Sequence, residues 1–172
     1  MLIVFGGLPG TGKTTLAREL ARRLQAMYLR IDTVEQAIIA SRLSLEPGTA
    51  GYFVGYAVAA DNLSLGSTVV ADSVNSLAVT RDAWIEVAKA TAAAIVEIEV
   101  ICSNSIEHRR RVESRKPDIP GHMLPSWQDV LDRQYDPWTS EQIVVDTAAL
   151  SIEQAVGDIL EQFSIREKRH PS

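Results

Sequence analysis

The 172 residues hold a single cysteine, Cys102. One cysteine cannot close an internal disulfide or supply a cysteine metal cluster, so it reads as core packing at a strand end. No apolar run approaches the ~20 residues of a membrane span. The hydrophobic segment at the N-terminus is short, lacks a basic leader and runs straight into a glycine-rich loop, which is not the pattern of a signal peptide. A cytoplasmic protein with no membrane partner is expected. Positive charge is also in short supply: Lys and Arg number 17 against 22 Asp and Glu, a net charge of −5. A broad basic face is therefore excluded, and with it the electrostatic support for nonspecific nucleic-acid binding. Any anionic ligand has to be held by local features. What remains, 46% hydrophobic and 23% charged residues, suits one globular domain, 1–172, with a sizeable core.

One local feature of that kind lies near the start. The run GLPGTGKT, Gly7 to Thr14, has the spacing G-x-x-x-x-G-K-T. In that pattern backbone N–H groups cradle phosphates while the Lys and the Thr reach phosphate oxygens and Mg²⁺. Upstream, Leu2-Ile3-Val4-Phe5 is an unbroken apolar run of strand length, as in a parallel strand buried on both faces. Downstream, Leu16, Ala17, Leu20, Ala21 and Leu24 recur at helical spacing opposite Arg18, Glu19, Arg22 and Arg23. The run thus sits between a strand and a helix whose N-terminus offers unpaired N–H donors and the positive end of its dipole. The predicted phosphate contacts are Gly7, Leu8, Pro9, Gly10, Thr11, Gly12, Lys13, Thr14 and Thr15, with Thr14 on the metal.

Strand and helix alternate along the rest of the chain. AMYLRID reads as a strand ending at Asp32, with Thr33 and Gln36 spaced like a helix cap. EPGTAG breaks that helix. The segment 52–65 is predicted to be a largely buried helix with Tyr52, Tyr56, Ala59, Ala60 and Leu63 on one face and Gly66 as its stop. STVVAD is a strand ending at Asp72, SVNSLAVT a loop, and 81–92 a helix. AAIVEIEVIC alternates as a strand with a more polar face at Glu97 and Glu99. The helix SIEHRRRVESR leads into KPDIPGHMLPSW, a long loop with three prolines and a glycine. QIVVD is a last strand, Ser151 and Gln154 cap a final helix, and the tail REKRHPS should fray. This alternation, with no internal repeat, indicates a parallel sheet covered by helices on both faces, where ligands bind at the C-terminal ends of the strands.

Three features project from that edge: the glycine-rich loop, Asp32 and Asp72. Each aspartate has a plainer reading, Asp32 as a helix cap and Asp72 as the start of a DSVN turn. Beside a triphosphate, however, a carboxylate can accept or orient the proton of an attacking hydroxyl, and another can hold magnesium through water. Arg111 and Arg115, four residues apart before the long loop, share a helical face and could neutralise developing charge; the plainer reading pairs Arg111 with Glu107. Tyr52, Tyr56, Asn75, Arg81, His122, Trp127 and Trp138 are candidate pocket residues that could equally be packing.

GLPGTGKTT, a strand ending RID, a strand ending VVADSVN and an Arg-x-x-x-Arg helix before a loop together resemble the small P-loop kinases of metabolites and antibiotics. These include gluconate, shikimate, adenylylsulfate and chloramphenicol kinases, zeta-toxin-like sugar-nucleotide kinases and polynucleotide kinases. The resemblance spans nearly the whole chain. It implies an α/β P-loop NTPase fold of five parallel strands with the phosphate loop after a central strand, and a mobile arginine-bearing lid at about 116–126. It also implies ATP with Mg²⁺, an acid after strand two that engages the acceptor hydroxyl (Asp32), and lid arginines at Arg111 and Arg115. Polynucleotide kinases carry an arginine three residues after that acid, where this chain has Glu35, so terminal nucleic acid is a poor acceptor. The N-K-x-D of small GTPases is absent, and an AAA-type motor would place a second acid beside Asp72, where Ser73 stands. The expectation is an ATP-dependent kinase in which Lys13, Asp32, Arg111 and Arg115 act on a small-molecule hydroxyl and Thr14 and Asp72 serve the metal. The alternatives are a non-catalytic ATP-binding switch and a zeta-toxin-like sugar-nucleotide kinase.

Overall fold

Five parallel strands form a single sheet in the order β2-β3-β1-β4-β5 in the computed structural model, which describes residues 1–42 and 48–169. The strands are β1 Leu2–Gly6, β2 Met27–Arg30, β3 Val69–Asp72, β4 Ile95–Ile101 and β5 Ile143–Asp146. The helices are α1 Lys13–Leu24, α2 Ile31–Ala40, α3 Ala50–Ser64, α4 Ala78–Ala90, α5 Ser105–Ser114, α6 Trp127–Leu131 and α7 Ile152–Arg169. β1 is central, fully buried, and carries the phosphate loop from its C-terminal end.

Alternation along the strands splits the core into two layers. Ile3, Phe5, Ile98, Val100 and Val145 face one side, where α1 and α7 cover them with Leu16, Leu20, Val156 and Ile159. Leu2, Val4, Val69 and Ala71 face the other, against Ile31 of α2, Ala59 and Leu63 of α3 and Trp84 of α4. Helices on both faces of a parallel sheet are thus realised as the sequence pattern requires. The register pairs Phe5 with Asp72 and Arg30 with Asp72, so β1, β2 and β3 end together at one edge.

Several local expectations are corrected. β2 ends at Arg30, and the chain turns at once into α2, so Asp32 lies in the first helical turn and not at a strand end. Arg30 is the N-cap residue and makes no side-chain cap bond; the proposed Thr33 and Gln36 cap is not formed. Asp32 therefore supports the helix through its dipole and is not the cap. α4 begins at Ala78, three residues ahead of the expected 81–92, because Asp136, far along the chain, accepts a hydrogen bond from the Ala78 N–H at 2.9 Å. α3 is not largely buried. Its buried stripe is Gly51, Gly55, Ala59 and Leu63, while Phe53 and Val54 are exposed and Tyr52 and Tyr56 are partly covered. The small residues let α3 press onto α2: a Cβ at Gly55 would stand 2.4 Å from Ile31 Cδ1. The reciprocal Ser151 and Gln154 cap of α7 is present, with N–H to side-chain oxygen distances of 2.9 and 3.2 Å. The break expected at Glu46-Pro47 and the end of the tail, 170–172, lie outside the described residues.

Candidate active site

The phosphate loop owes its shape to its glycines. Gly7 has φ +135°, and a Cβ there would meet the Val100 carbonyl oxygen at 2.2 Å; Gly10 has φ +85°, and its Cβ would strike Val112 at 2.5 Å. Neither position admits a side chain. Gly12 caps α1 without a side chain, so no side-chain acceptor occupies the first-turn N–H groups of that helix. Thr11, almost wholly buried, donates its hydroxyl to the Leu8 carbonyl at 2.9 Å, and Lys13 Nζ donates to the same oxygen at 3.2 Å. Burial pulls the Lys13 ammonium below the ordinary lysine range, and the nearby carboxylates of Asp72 and Asp32 pull it back.

The outer side of the loop is braced by neighbours. His108 Nε2 lies 2.8 Å from the Pro9 carbonyl oxygen, its ring set edge-on against Trp127. Thr147 donates its hydroxyl to the Thr11 carbonyl at 2.7 Å, and Arg111 holds Thr147 in turn through Nη1 to Oγ1 at 2.8 Å and Nη2 to the carbonyl at 3.1 Å. Arg111 Nε donates to Glu107 at 2.7 Å, so the plainer pairing is made as well.

Beside the loop opens a cavity of about 1000 Å³, into which the sequence-predicted groups converge: Gly10, Gly12, Lys13, Thr14, Thr15, Asp32, Asp72, Arg111 and Arg115 all line it. Tyr52 and His122 line it too. The other five aromatic and polar candidates are structural. Asn75 is fully buried, donating Nδ2 to the Phe5 carbonyl at 2.8 Å and accepting from Trp84 Nε1 at 3.2 Å. Arg81 donates to the carbonyls of Asn75 and Pro137 at 2.9 and 2.8 Å and lies over the Trp138 ring. Tyr56 bonds the Thr80 carbonyl and packs edge-on against Trp84, and Trp127 backs His108.

Several lining residues were not singled out from sequence. Arg30, nearly buried, donates to Asp32 Oδ2 from Nε and Nη2 at 3.3 and 3.2 Å, and to Asp118 Oδ2 from Nη1 at 2.7 Å. Its Nε also stands 4.0 Å from Asp72 Oδ2. Tyr28 donates its hydroxyl to Asp72 Oδ2 at 2.7 Å. Glu35 has its carboxyl pushed up to about 7 by burial and by the Asp32 charge. Arg115 Nε is buried without a hydrogen-bond partner among the described residues and its side chain lines the cavity, leaving polar capacity for a ligand. Burial lowers the Arg115 guanidinium from its usual value. The RID triplet held the signal for Arg30; Asp118, inside an aperiodic proline loop, offered none.

The oxygens available to a cation are hard ones, the Thr14 hydroxyl and the Asp72 carboxylate, a donor set that fits Mg²⁺ with its retained waters and phosphate oxygens. No group of three or more His, Cys, Asp or Glu among the described residues forms an all-protein metal site.

Comparison with known proteins extends this picture. The family model described as AAA domain matches residues 2–133. No curated protein matches the chain. Among solved structures, a gluconokinase from Sinorhizobium meliloti 1021 superposes with a TM-score of 0.68 at 20% identity, over 97% of this chain and 93% of that one. The Mycobacterium tuberculosis APS kinase CysC, in complex with AMPPNP and APS, gives 0.67 at 16% identity over 95% and 96%. Chaetomium thermophilum Kti12, in complex with ADP-AlF3, gives 0.69 at 22% identity over 94% and 98%. At these identities the likeness is one of fold: an α/β P-loop fold shared along nearly the full chain with small kinases. β3 ends at Asp72 and Ser73 follows it, so no second acid stands beside Asp72, as expected of a small P-loop kinase and not of a motor.

Proposed function

The chain belongs to the AAA domain family, and on that premise we propose that it is an ATP-dependent kinase that phosphorylates a hydroxyl of a small-molecule acceptor. The observation that carries this reading is convergence. The phosphate loop, Asp72 at the end of β3, Asp32 in the first turn of α2, Arg111 of α5 and Arg115 just past the C-terminus of that helix line one cavity at the C-terminal edge of the sheet.

Bound there, ATP with Mg²⁺ supplies the transferable γ-phosphoryl group and neutralises its charge. The loop N–H groups and the α1 N-terminus hold the phosphates, Lys13 reaches the β- and γ-oxygens, and Thr14 and Asp72 serve the metal. With Asp72 Oδ2 accepting from Tyr28, the other carboxylate oxygen is the one that would help hold Mg²⁺. Asp32, steadied at Oδ2 by Arg30, presents its second oxygen to the acceptor hydroxyl. As the acceptor oxygen bonds to phosphorus, the bond to the nucleoside diphosphate breaks and the hydroxyl proton passes to Asp32. Arg115, with a free Nε, and Arg111 offset the charge that spreads over the transferring group. Tyr52, Glu35 and His122 line the part of the cavity given to the acceptor. The loop 116–126 closes over it as a lid within a single domain. A cytoplasmic location belongs to the same proposal; no helix among the described residues is long and apolar enough to cross a membrane.

The test is a panel of sugars, nucleotide sugars, aminoglycosides, nucleosides and hydroxy acids incubated with γ-labelled ATP. Label transferred to one acceptor class supports the kinase. Tight nucleotide binding with no transfer to any member would favour the non-catalytic switch, and transfer to a nucleotide sugar alone would narrow the enzyme to the zeta-toxin-like class.

A further inference from the structure

Asp118 sits near the start of the 116–126 loop and reaches back to the sheet. Its Oδ2 accepts from Arg30 Nη1 and from Arg18 Nη2, both at 2.7 Å. Arg18 belongs to α1, directly behind the phosphate loop, and is half exposed. Arg30 is the more telling partner, because its side chain is only 7% exposed and it spends its remaining donors on Asp32. One buried guanidinium thus faces three carboxylates: Asp32 at 3.2 Å, Asp118 at 2.7 Å and Asp72 at 4.0 Å.

The planar fork of an arginine fixes the directions of its donors together, so the group that takes Nη1 orients Nε and Nη2 as well. We infer that Arg30 is a positioning residue for Asp32 and that Asp118 is the latch through which the docked loop sets Arg30, so that loop closure and alignment of Asp32 are one event. This rests on the kinase reading for its consequence in catalysis, though not for its structural content. With the latch made, Arg30 is pinned at both ends and Asp32 Oδ2 is held, leaving the other oxygen for the acceptor. With the latch open, Nη1 loses its carboxylate, the fork is free to rotate, and the hold on Asp32 loosens although neither Asp32 nor the phosphate loop has changed. Water then competes with an incompletely aligned acceptor. Asp118 is itself 42% exposed, and its change to Asn removes charge and not bulk, so the fold is kept while alignment is tested.

The experiment uses Asp118→Asn in the full chain, with Asp118→Glu as the conservative return of the carboxylate. Two readouts are taken. The first needs no activity: ¹⁵N relaxation of the Arg30 Nε–Hε group, which we expect to be rigid in the wild type, mobile in Asp118→Asn and largely rigid again in Asp118→Glu. The second uses the acceptor that the wild type phosphorylates. There kcat for transfer should fall roughly tenfold to a hundredfold in Asp118→Asn, the scale on which small misplacements act, while ATP affinity stays within about twofold. The share of ATP lost to water should rise. An Arg30 side chain equally rigid in both proteins overturns the latch, as does an Arg30 that loosens without any change in transfer. A wild type that phosphorylates nothing defeats the kinase reading instead, and the relaxation measurement still decides the latch.

Discussion

Replacing Asn75 by Asp changes one nitrogen to one oxygen at a site with no solvent access. Asn75 adopts φ +47°, a conformation that Asp tolerates as Asn does, so backbone strain is unaltered. The Trp84 Nε1 bond to Oδ1 can persist. The loss falls on Nδ2, which donates to the Phe5 carbonyl at 2.8 Å; in its place a carboxylate oxygen would face that carbonyl with no proton between them. An unsatisfied buried carbonyl costs about 1–3 kcal/mol and a buried carboxylate several more unless it takes up a proton, so we expect a loss of about 3–5 kcal/mol at pH 7.5. That is a large part of the ~5–15 kcal/mol that holds a typical domain. The pH dependence follows from linkage: the introduced carboxyl is protonated more readily when folded, so its cost is full at high pH and fades as pH falls toward the unfolded value. Urea unfolding at pH 7.5 and pH 5 reads both effects. A loss under about 1 kcal/mol at pH 7.5, or a loss that grows on acidification, would refute the structural role of Asn75 and reopen it as a pocket residue.

Lys13→Ala removes a buried ammonium whose one hydrogen bond among the described residues is to the Leu8 carbonyl, so stability should move by at most about 1–2 kcal/mol while ATP turnover is abolished; thermal unfolding and a nucleotide-consumption assay check the pair. Glu35 has a folded value of about 7 against 4.5, so the folded state holds the extra proton between those values and wild-type stability declines as pH rises through that window. Glu35→Gln should flatten this decline, gaining about 1 kcal/mol at pH 8 once the shift is discounted for a carboxyl that keeps some solvent access, and nothing at pH 4. A pH-stability profile that keeps its slope in the variant would count against the buried, raised carboxyl.

What the sequence made legible was whatever is encoded locally. The glycine spacing of the phosphate loop, the unbroken apolar run of β1, the period-two run of β4 and the Ser151 and Gln154 box each specify their own conformation, and the strand and helix alternation then leaves few topologies. The failures have long-range causes. α4 starts early because Asp136 caps it from another loop, and Asp32 slid from strand into helix because β2 stops pairing with β3 at Arg30. The buried stripe of α3 follows its glycines, which matter only when α2 lies against them. In the site, Pro9, Gly10, Gly12, Lys13, Thr14 and Thr15 of the motif line the cavity, while Gly7, Leu8 and Thr11 lie behind it and shape the loop. Tyr56, Trp127 and Trp138 failed as pocket residues, while Tyr52 did not, because a Trp or Tyr between elements looks the same whether it meets a ligand or, as with Trp138, a buried Arg81. Arg30 and Asp118 lie 88 positions apart, and no local pattern joins them.

The most direct measurement is the rate of phosphoryl transfer in Asp32→Asn, set beside its ATP affinity. The substitution keeps the size of the side chain and removes the charge that would take the hydroxyl proton. Asp32 does not cap α2 and is partly exposed, so folding should be little changed. General-base help is worth about a hundred- to ten-thousand-fold, and we expect transfer to the acceptor to fall by that order while ATP affinity stays within a few-fold of the wild type. Transfer at close to the wild-type rate by a normally folded variant would contradict the assignment of Asp32 and, with it, the mechanism.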